Sequence, residues 1–314
     1  MGPTSDHFDG RRFFNPQGPA VQPLSAVPRM LRERRTKWPT WIDEPSQLPA
    51  PLAAHTAVVT FIGHATFLIQ TASGHILTDP MFGRRAGPWN MAGPVRVRRP
   101  GVRLEDLPPI ALVLLSHNHY DHCDISSLRQ LARRFDPLVV TPIGNGRLVR
   151  SASIRRVEEL DWWQTSQTAP LPITLTPAHH FSARGILDRN RALWGGFVVA
   201  IGERRLYFAG DTAYASFFPD IPRRLGAIDL ALLPIGAYEP RWFMRSVHMN
   251  PEEAVRAHQD LGSPESIGMH FGTFQLTTEG IDDPIRALAV ARGARGIPES
   301  RFRTLDHGAS LVLD

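Results

Sequence analysis

Cysteine, lysine and long apolar runs are all scarce in this chain of 314 residues. Its one cysteine, Cys123, has no partner within the chain, so an internal disulfide is excluded, which fits a reducing compartment. No run of about 18 apolar residues occurs, which rules out a transmembrane helix and leaves only peripheral contact with a membrane. Lys37 is the only lysine, so the net charge of +5 rests almost wholly on arginine. Arginine grips phosphate with two parallel donors, but an excess spread along the whole chain also follows from GC-rich coding. Arg11-Arg12-Phe13-Phe14 has the outline of a twin-arginine signal, yet Asn15-Pro16-Gln17-Gly18 follow where an apolar core is required. The expected location is therefore cytoplasmic, or peripheral on the membrane.

What is present is a 42% hydrophobic content, enough to bury a large core in one α/β domain. Residues 1–55 are rich in proline and arginine without apolar periodicity and read as an arm packed on the domain formed by residues 56–314. Within the arm, the basic run Arg29 to Lys37 suits a solvated face or an anionic surface. Val58 to Ile62, Thr66 to Ile69 and Ile76 to Thr78 predict a β-meander turning at Gly63-His64. Ile110 to Leu115 predicts a buried strand that runs into a loop and then a helix over Ser126 to Phe135. Further strands are expected at Ile173 to Thr176, in a hairpin of 197–201 with 206–208, at Leu230 to Leu233, at Ser266 to His270 and at Ala309 to Leu313. Asn250, Pro251 and Glu253 together predict a capped helix start. The layout is that of two sheets flanked by helices, with polar residues gathered where strands end.

The densest chemistry lies in Ser116-His117-Asn118-His119-Tyr120-Asp121-His122. His117 and His119 alternate after a buried strand, so in extended chain their imidazoles project to one side, while Asp121 and His122 can reach a second ion. Imidazole and carboxylate suit zinc, and iron or manganese accept the same donors. Two ions need ligands from elsewhere, and His179-His180, Asp211 and His270 each follow a predicted strand. Gly210 lets the backbone pass close while Asp211 aims inward. Asp79, at the end of a strand, and His64, at a tight turn, are expected to support the site rather than bind metal. His75 has suitable chemistry too, and Cys123 is not expected to ligate.

Those residues make the chain resemble the metallo-β-lactamase superfamily, whose HxHxDH motif spans His117 to His122. Leu160-Asp161-Trp162-Trp163, Phe208-Ala209-Gly210-Asp211-Thr212 and Pro234 to Met244 resemble its branch of N-acyl-phosphatidylethanolamine phospholipases D, a likeness over roughly residues 56–312. The resemblance implies an αβ/βα four-layer sandwich of two mixed sheets flanked by helices, with residues 56–314 as its catalytic domain. It also implies two zinc ions, with His117, His119 and His180 on one, Asp121, His122 and His270 on the other, and Asp211 bridging. His180 is preferred to His179 because the family's ligand directly precedes an aromatic residue, here Phe181. Tyr120 and His248 match positions that contact the substrate phosphate.

The expected reaction is attack on a phospholipid phosphodiester by a hydroxide bridging the two ions, with Asp121 orienting it and protonated His248 assisting the leaving oxygen. A lactonase or amidase keeps the same site, because hydroxide also attacks carbonyl carbon. A nucleic-acid-processing enzyme shares the fold, but the arginines are dispersed and no nucleic acid is expected as partner. The segment Pro80 to Arg99, with Trp89, Met91 and several arginines, and the trio Trp242-Phe243-Met244 suit either a lipid or subunit interface, including a homodimer, or simple packing.

Overall fold

The computed structural model describes residues 4–185 and 187–314. Strands β1 (Ala57–Gly63), β2 (Thr66–Thr71) and β3 (His75–Thr78) form the expected antiparallel meander. Strands β4 (Ile110–Leu114), β5 (Leu138–Pro142) and β6 (Arg156–Leu160) extend it in parallel. A second sheet joins β7 (Ile173–Thr176), β8 (Gly196–Ile201), β9 (Arg204–Phe208), β10 (Leu230–Pro234), β11 (Glu265–Met269) and β12 (Phe302–Thr304). Strand β13 (Ser310–Leu313) returns to the first sheet beside β1. Among the described residues the orders are β13-β1-β2-β3-β4-β5-β6 and β12-β11-β10-β9-β8-β7.

The sandwich follows from strands that are apolar on both faces. Val59, Phe61, Phe67 and Ile69 meet Phe197, Val199, Phe208 and Leu232 of the opposite sheet in one core. Their neighbours Ile62 and Leu68, one residue out of phase, lie with Leu77, Val113 and Val139 against Leu128 and Leu131 of a helix. Each such side chain contributes about 1.5–3 kcal/mol on burial, so both faces need cover and the architecture settles at four layers. That helix, Ile125–Arg134, starts one residue earlier than predicted because Asp124 caps it, accepting from the backbone N–H groups of Ser126 and Ser127. The helix Pro251–Asp260 carries the full capping box of Asn250 and Glu253. Strands β5, β6 and β12 and the helix Asp283–Ala294 were not foreseen. In β6, Arg156, Glu158 and Glu159 mask a strand that lies at the edge of its sheet.

The described part of the arm is tied down at intervals. Phe13 is buried in the main core and its N–H donates to the Asn190 carbonyl at 2.8 Å. His7 stacks on Trp162 at 4.3 Å between ring centroids and lies 2.7 Å from Asp161, so part of the Leu160-Asp161-Trp162-Trp163 motif receives the arm. Further along, the Trp38 indole donates to the Glu279 carbonyl and the Ile42 N–H to the Val97 carbonyl. Trp242 donates to Glu33 at 3.0 Å beneath the Arg29 guanidinium, and Met244 is buried, so these two side chains pack within the chain.

Candidate metal centre

Six strand ends and turns meet at one rim between the sheets. The β1–β2 turn brings His64, β3 brings Asp79, β4 brings His117 to His122, β7 brings His179-His180, β9 brings Asp211 and β11 brings His270. Two groups of four result: His117, His119, His180 and Asp211, and His64, Asp121, His122 and His270, with donor atoms within 4.8 Å of one another in each. Asp211 lies between them: its Oδ2 is 3.0 Å from His122 Nε2, 3.7 Å from His180 Nε2 and 3.8 Å from His117 Nε2, and its Oδ1 is 3.2 Å from His270 Nε2.

Backbone conformation sets these directions. His64, Asp79 and His270 all have positive φ, at 58°, 30° and 66°, a strained choice for residues with a side chain. The His270 N–H donates to the His64 carbonyl at 2.7 Å and the His64 N–H to Thr273 Oγ1 at 3.0 Å, which holds two of the three bends. Gly210 has φ 59°, and a β-carbon there would stand 2.6 Å from Ser116 Cβ, so only glycine lets β9 deliver Asp211 beside β4.

The ring tautomers suit a cation. His180 Nδ1 donates to the Val247 carbonyl at 2.9 Å, which leaves the Nε2 lone pair facing inward. Ser116 Oγ donates to Asp79 at 2.6 Å and so accepts from His117 Nδ1 at 2.9 Å, turning that ring's Nε2 lone pair inward too. His119 Nδ1 then faces both lone pairs, at 2.9 Å and 3.2 Å. One N–H cannot serve two acceptors well, whereas a metal ion draws all three nitrogens. Asp79, fully buried, accepts from the Ser116 N–H at 2.7 Å and from His122 Nδ1 at 2.7 Å, which aims His122 Nε2 at the second group. Asp211 Oδ1 and His270 Nδ1 are buried without hydrogen-bond partners. This donor set fits a pair of divalent metal ions.

Electrostatics agree. Burial pulls His119 down to about 4 and His180, His64 and His248 to about 3, so these rings are neutral, as ligands must be. Burial also holds His117 well below its ordinary value. Burial works against His122 and His270 being charged, but Asp211 and Asp121 outweigh it, raising His122 well above its ordinary value and His270 to about 9. Burial likewise opposes ionisation of the two carboxylates, yet the surrounding histidines hold both well below the usual carboxylate range.

The residues expected at the site therefore meet, with some reassignment among them. His180 faces the cluster, whereas His179 turns away, its Nδ1 at 3.0 Å from the Ser246 carbonyl. His64 holds Asp121 through Nε2 at 2.9 Å, close enough to belong to that donor group itself. His248 sits 3.9 Å from Asp211, and the neutral ring, not the imidazolium expected from sequence, is favoured. The Tyr120 hydroxyl donates to the Arg184 carbonyl at 2.9 Å, and the Arg184 guanidinium covers its ring. His75 and Cys123 join no donor group among the described residues, and burial pushes the Cys123 thiol up to about 12. Asn15 and Arg184 were not foreseen. Asn15 clasps the His180 backbone, donating to its carbonyl at 2.8 Å and accepting from its N–H at 3.3 Å. Arg184 pins the motif by donating to the carbonyls of Asn118 and Cys123. Both reach across more than 60 residues, a distance at which local pattern carries no signal.

Residues 75–271 match the family model of the β-lactamase superfamily domain. The chain is 38% identical over 263 residues to N-acyl-phosphatidylethanolamine-hydrolyzing phospholipase D 1 of Caenorhabditis elegans, covering 79% of this chain and 74% of that one. It is 37% identical over 220 residues to the mitochondrial enzyme of that name from Saccharomyces cerevisiae, covering 68% of this chain and 47% of that one. Among solved structures, an isothiocyanate hydrolase from Delia radicum gut bacteria superposes with a TM-score of 0.64 at 21% identity, over 82% of this chain and 98% of that one, a likeness of fold.

Proposed function

The chain belongs to the β-lactamase superfamily and is a metal-dependent hydrolase of the metallo-β-lactamase fold, and on that footing we propose that it cleaves a phospholipid phosphodiester in the manner of a phospholipase D. N-acyl-phosphatidylethanolamine or a close relative is the substrate. The observation that carries the reading is the convergence of two donor groups on the shared carboxylate of Asp211, supported by the likeness to the Caenorhabditis elegans phospholipase. His117, His119 and His180 would hold one zinc ion, Asp121, His122 and His270 the other, and Asp211 both. When bound, such a metal pair lowers the pKa of water toward neutrality and neutralises charge on a phosphodiester oxygen.

The protein's own residues do the rest. Asp79 and the Val247 carbonyl keep His122 and His180 in the ligand tautomer. His64 holds Asp121 Oδ2, the oxygen that faces His122 and His270, and so fixes the carboxylate that would also orient the attacking water. His248, neutral and 3.9 Å from Asp211, would hydrogen-bond the phosphate, and Tyr120, steadied by Arg184, would contact the phosphate region as well. Phe181 stands edge-on to His119 at 4.5 Å between ring centroids and packs against that ring. The N-terminal arm, residues 1–55, serves the domain of residues 56–314 by bracing His180 through Asn15.

The test is release of phosphatidic acid from N-acyl-phosphatidylethanolamine by zinc-loaded protein, beside Asp211→Asn and beside lactone and nucleic-acid panels. Turnover of the lipid that falls on the order of 10²-fold or more in the variant supports both site and substrate. Cleavage of a lactone or nucleic acid alone keeps the metal site and refutes the phospholipase reading.

A further inference from the structure

Apart from the metal-ligand groups, a cavity of about 490 Å³ opens between the arm and the Pro80 to Arg99 segment, lined in part by Thr40, Trp41, Phe82, Arg84, Arg96 and Arg99. Three of its lining residues are arginines and none is acidic. Arg99 pairs with exposed Asp43 at 2.8 Å, while Arg84 and Arg96 have no acidic ion-pair partner among the described residues. Arg96 is the unusual one. It is only 4% exposed, its Nε and Nη2 donate to the carbonyls of Gly83 and Met81, and its Nη1 is buried with no partner. Its guanidinium lies 5.0 Å from the centre of the Phe274 ring, which adds a cation–π contact but no counter-charge. Burial lowers its pKa to about 10, against the nearby charge of Asp124, so it remains a cation at neutral pH. Asp124 is the nearby charge, but it makes no hydrogen bond to Arg96, so a spare buried donor and two further guanidinium groups around an open cavity leave room for an anion there.

We propose that this cavity binds a phosphate group, free or carried on an ester, through Arg84, Arg96 and Arg99. Three guanidinium groups match a dianionic oxyanion with several acceptor oxygens better than a single carboxylate. The Thr40 hydroxyl adds a donor, and Trp41 and Phe82 supply apolar walls for an organic portion. No metal ligand takes part, so the site stands or falls separately from the phosphodiesterase reading.

Titration of the zinc-loaded full chain with inorganic phosphate, followed by calorimetry and phosphorus NMR, tests it. Phosphate also meets the metal ions, so the informative comparison is wild type against Arg84→Ala/Arg99→Ala, which leaves the metal ligands intact. The expected result is one binding event retained and a second weakened about tenfold or more per arginine removed. Asp43→Asn, which frees Arg99, should tighten that second event. A parallel arm measures sedimentation with phosphatidylcholine vesicles with and without phosphatidic acid. Loss of the free-phosphate event in the double variant identifies a soluble ligand, and loss confined to phosphatidic-acid vesicles identifies a lipid headgroup. Identical behaviour of wild type and double variant in both arms overturns the proposal, as does an equal loss when Arg133 and Arg286 are removed instead.

Discussion

Replacing Asp79 by asparagine changes one atom and should weaken one metal position more than the other. Both oxygens of Asp79 are committed: Oδ1 accepts from the Ser116 N–H, and Oδ2 accepts from Ser116 Oγ and from His122 Nδ1 at 2.7 Å. Asparagine has the same shape and tolerates the positive φ of 30°, so the backbone should hold. Its amide, however, sets an N–H against the His122 N–H. The imidazole escapes by moving its proton to Nε2, the atom that lies 3.0 Å from Asp211 and 3.2 Å from His270, and a protonated Nε2 cannot ligate. If the amide flips instead, the buried Ser116 N–H is stranded. Either way a charge-assisted hydrogen bond worth about 1.5–3 kcal/mol is lost, which matches the roughly 10–100-fold fall in affinity typical when a ligand's supporting carboxylate is removed. Chelator competition should therefore show two zinc-binding events in wild type. In Asp79→Asn, the event assigned to Asp121, His122 and His270 should weaken by that factor, and the His117, His119 and His180 event should weaken less, because Ser116 Oγ loses the acceptor that fixes it toward His117 Nδ1. Wild-type affinity at both positions would refute the tautomer argument. An equal fall at both, with a lowered urea midpoint, would show that Asp79 acts on the fold as a whole.

Asn15→Ala removes two hydrogen bonds to the His180 backbone, each worth about 0.5–1.5 kcal/mol, and should weaken the His117, His119 and His180 event by about tenfold; unchanged chelator competition would show that the arm does not brace the ligand. The His7–Asp161 contact predicts a pH-dependent contribution to stability. Burial opposes the charged form of His7, but hydrogen bonds to Asp161 and Asp6 outweigh it and raise its pKa above the ordinary 6.5. Asp161, despite partial burial, is held below the ordinary 3.8 chiefly by the hydrogen bond from His7. The contact contributes fully between those ordinary values, fades as pH rises through the raised pKa of His7, and fades as pH falls through the lowered pKa of Asp161. The gap in urea midpoint between wild type and His7→Gln should accordingly be widest near pH 5 and shrink well above pH 7. A gap that stays constant across that range would refute the ion-pair account.

Much of the candidate site was legible because its information is local. Four donor side chains within six residues, directly after a buried apolar strand, can be read without knowing the fold, as can the Asn250–Glu253 cap and the β8–β9 hairpin, since hydrogen-bond ring size and side-chain period are short-range properties. The double-sided apolar strands likewise demanded cover on both faces, which is why the layered architecture could be anticipated. Strand β6 escaped because edge position lets charged residues into a strand, and only the pairing with β5 reveals it. What the tertiary structure alone decided is direction. Whether His179 or His180 faces the donors depends on the Ser246 and Val247 carbonyls, 67 residues away, and Asp121 is steadied by His64, 57 residues away. His64, Asp79 and His270 bend through left-handed conformations that no local preference selects. Such bends persist only where distant contacts over-determine them, so residue type and spacing could nominate the donors while the packed strand ends aimed them.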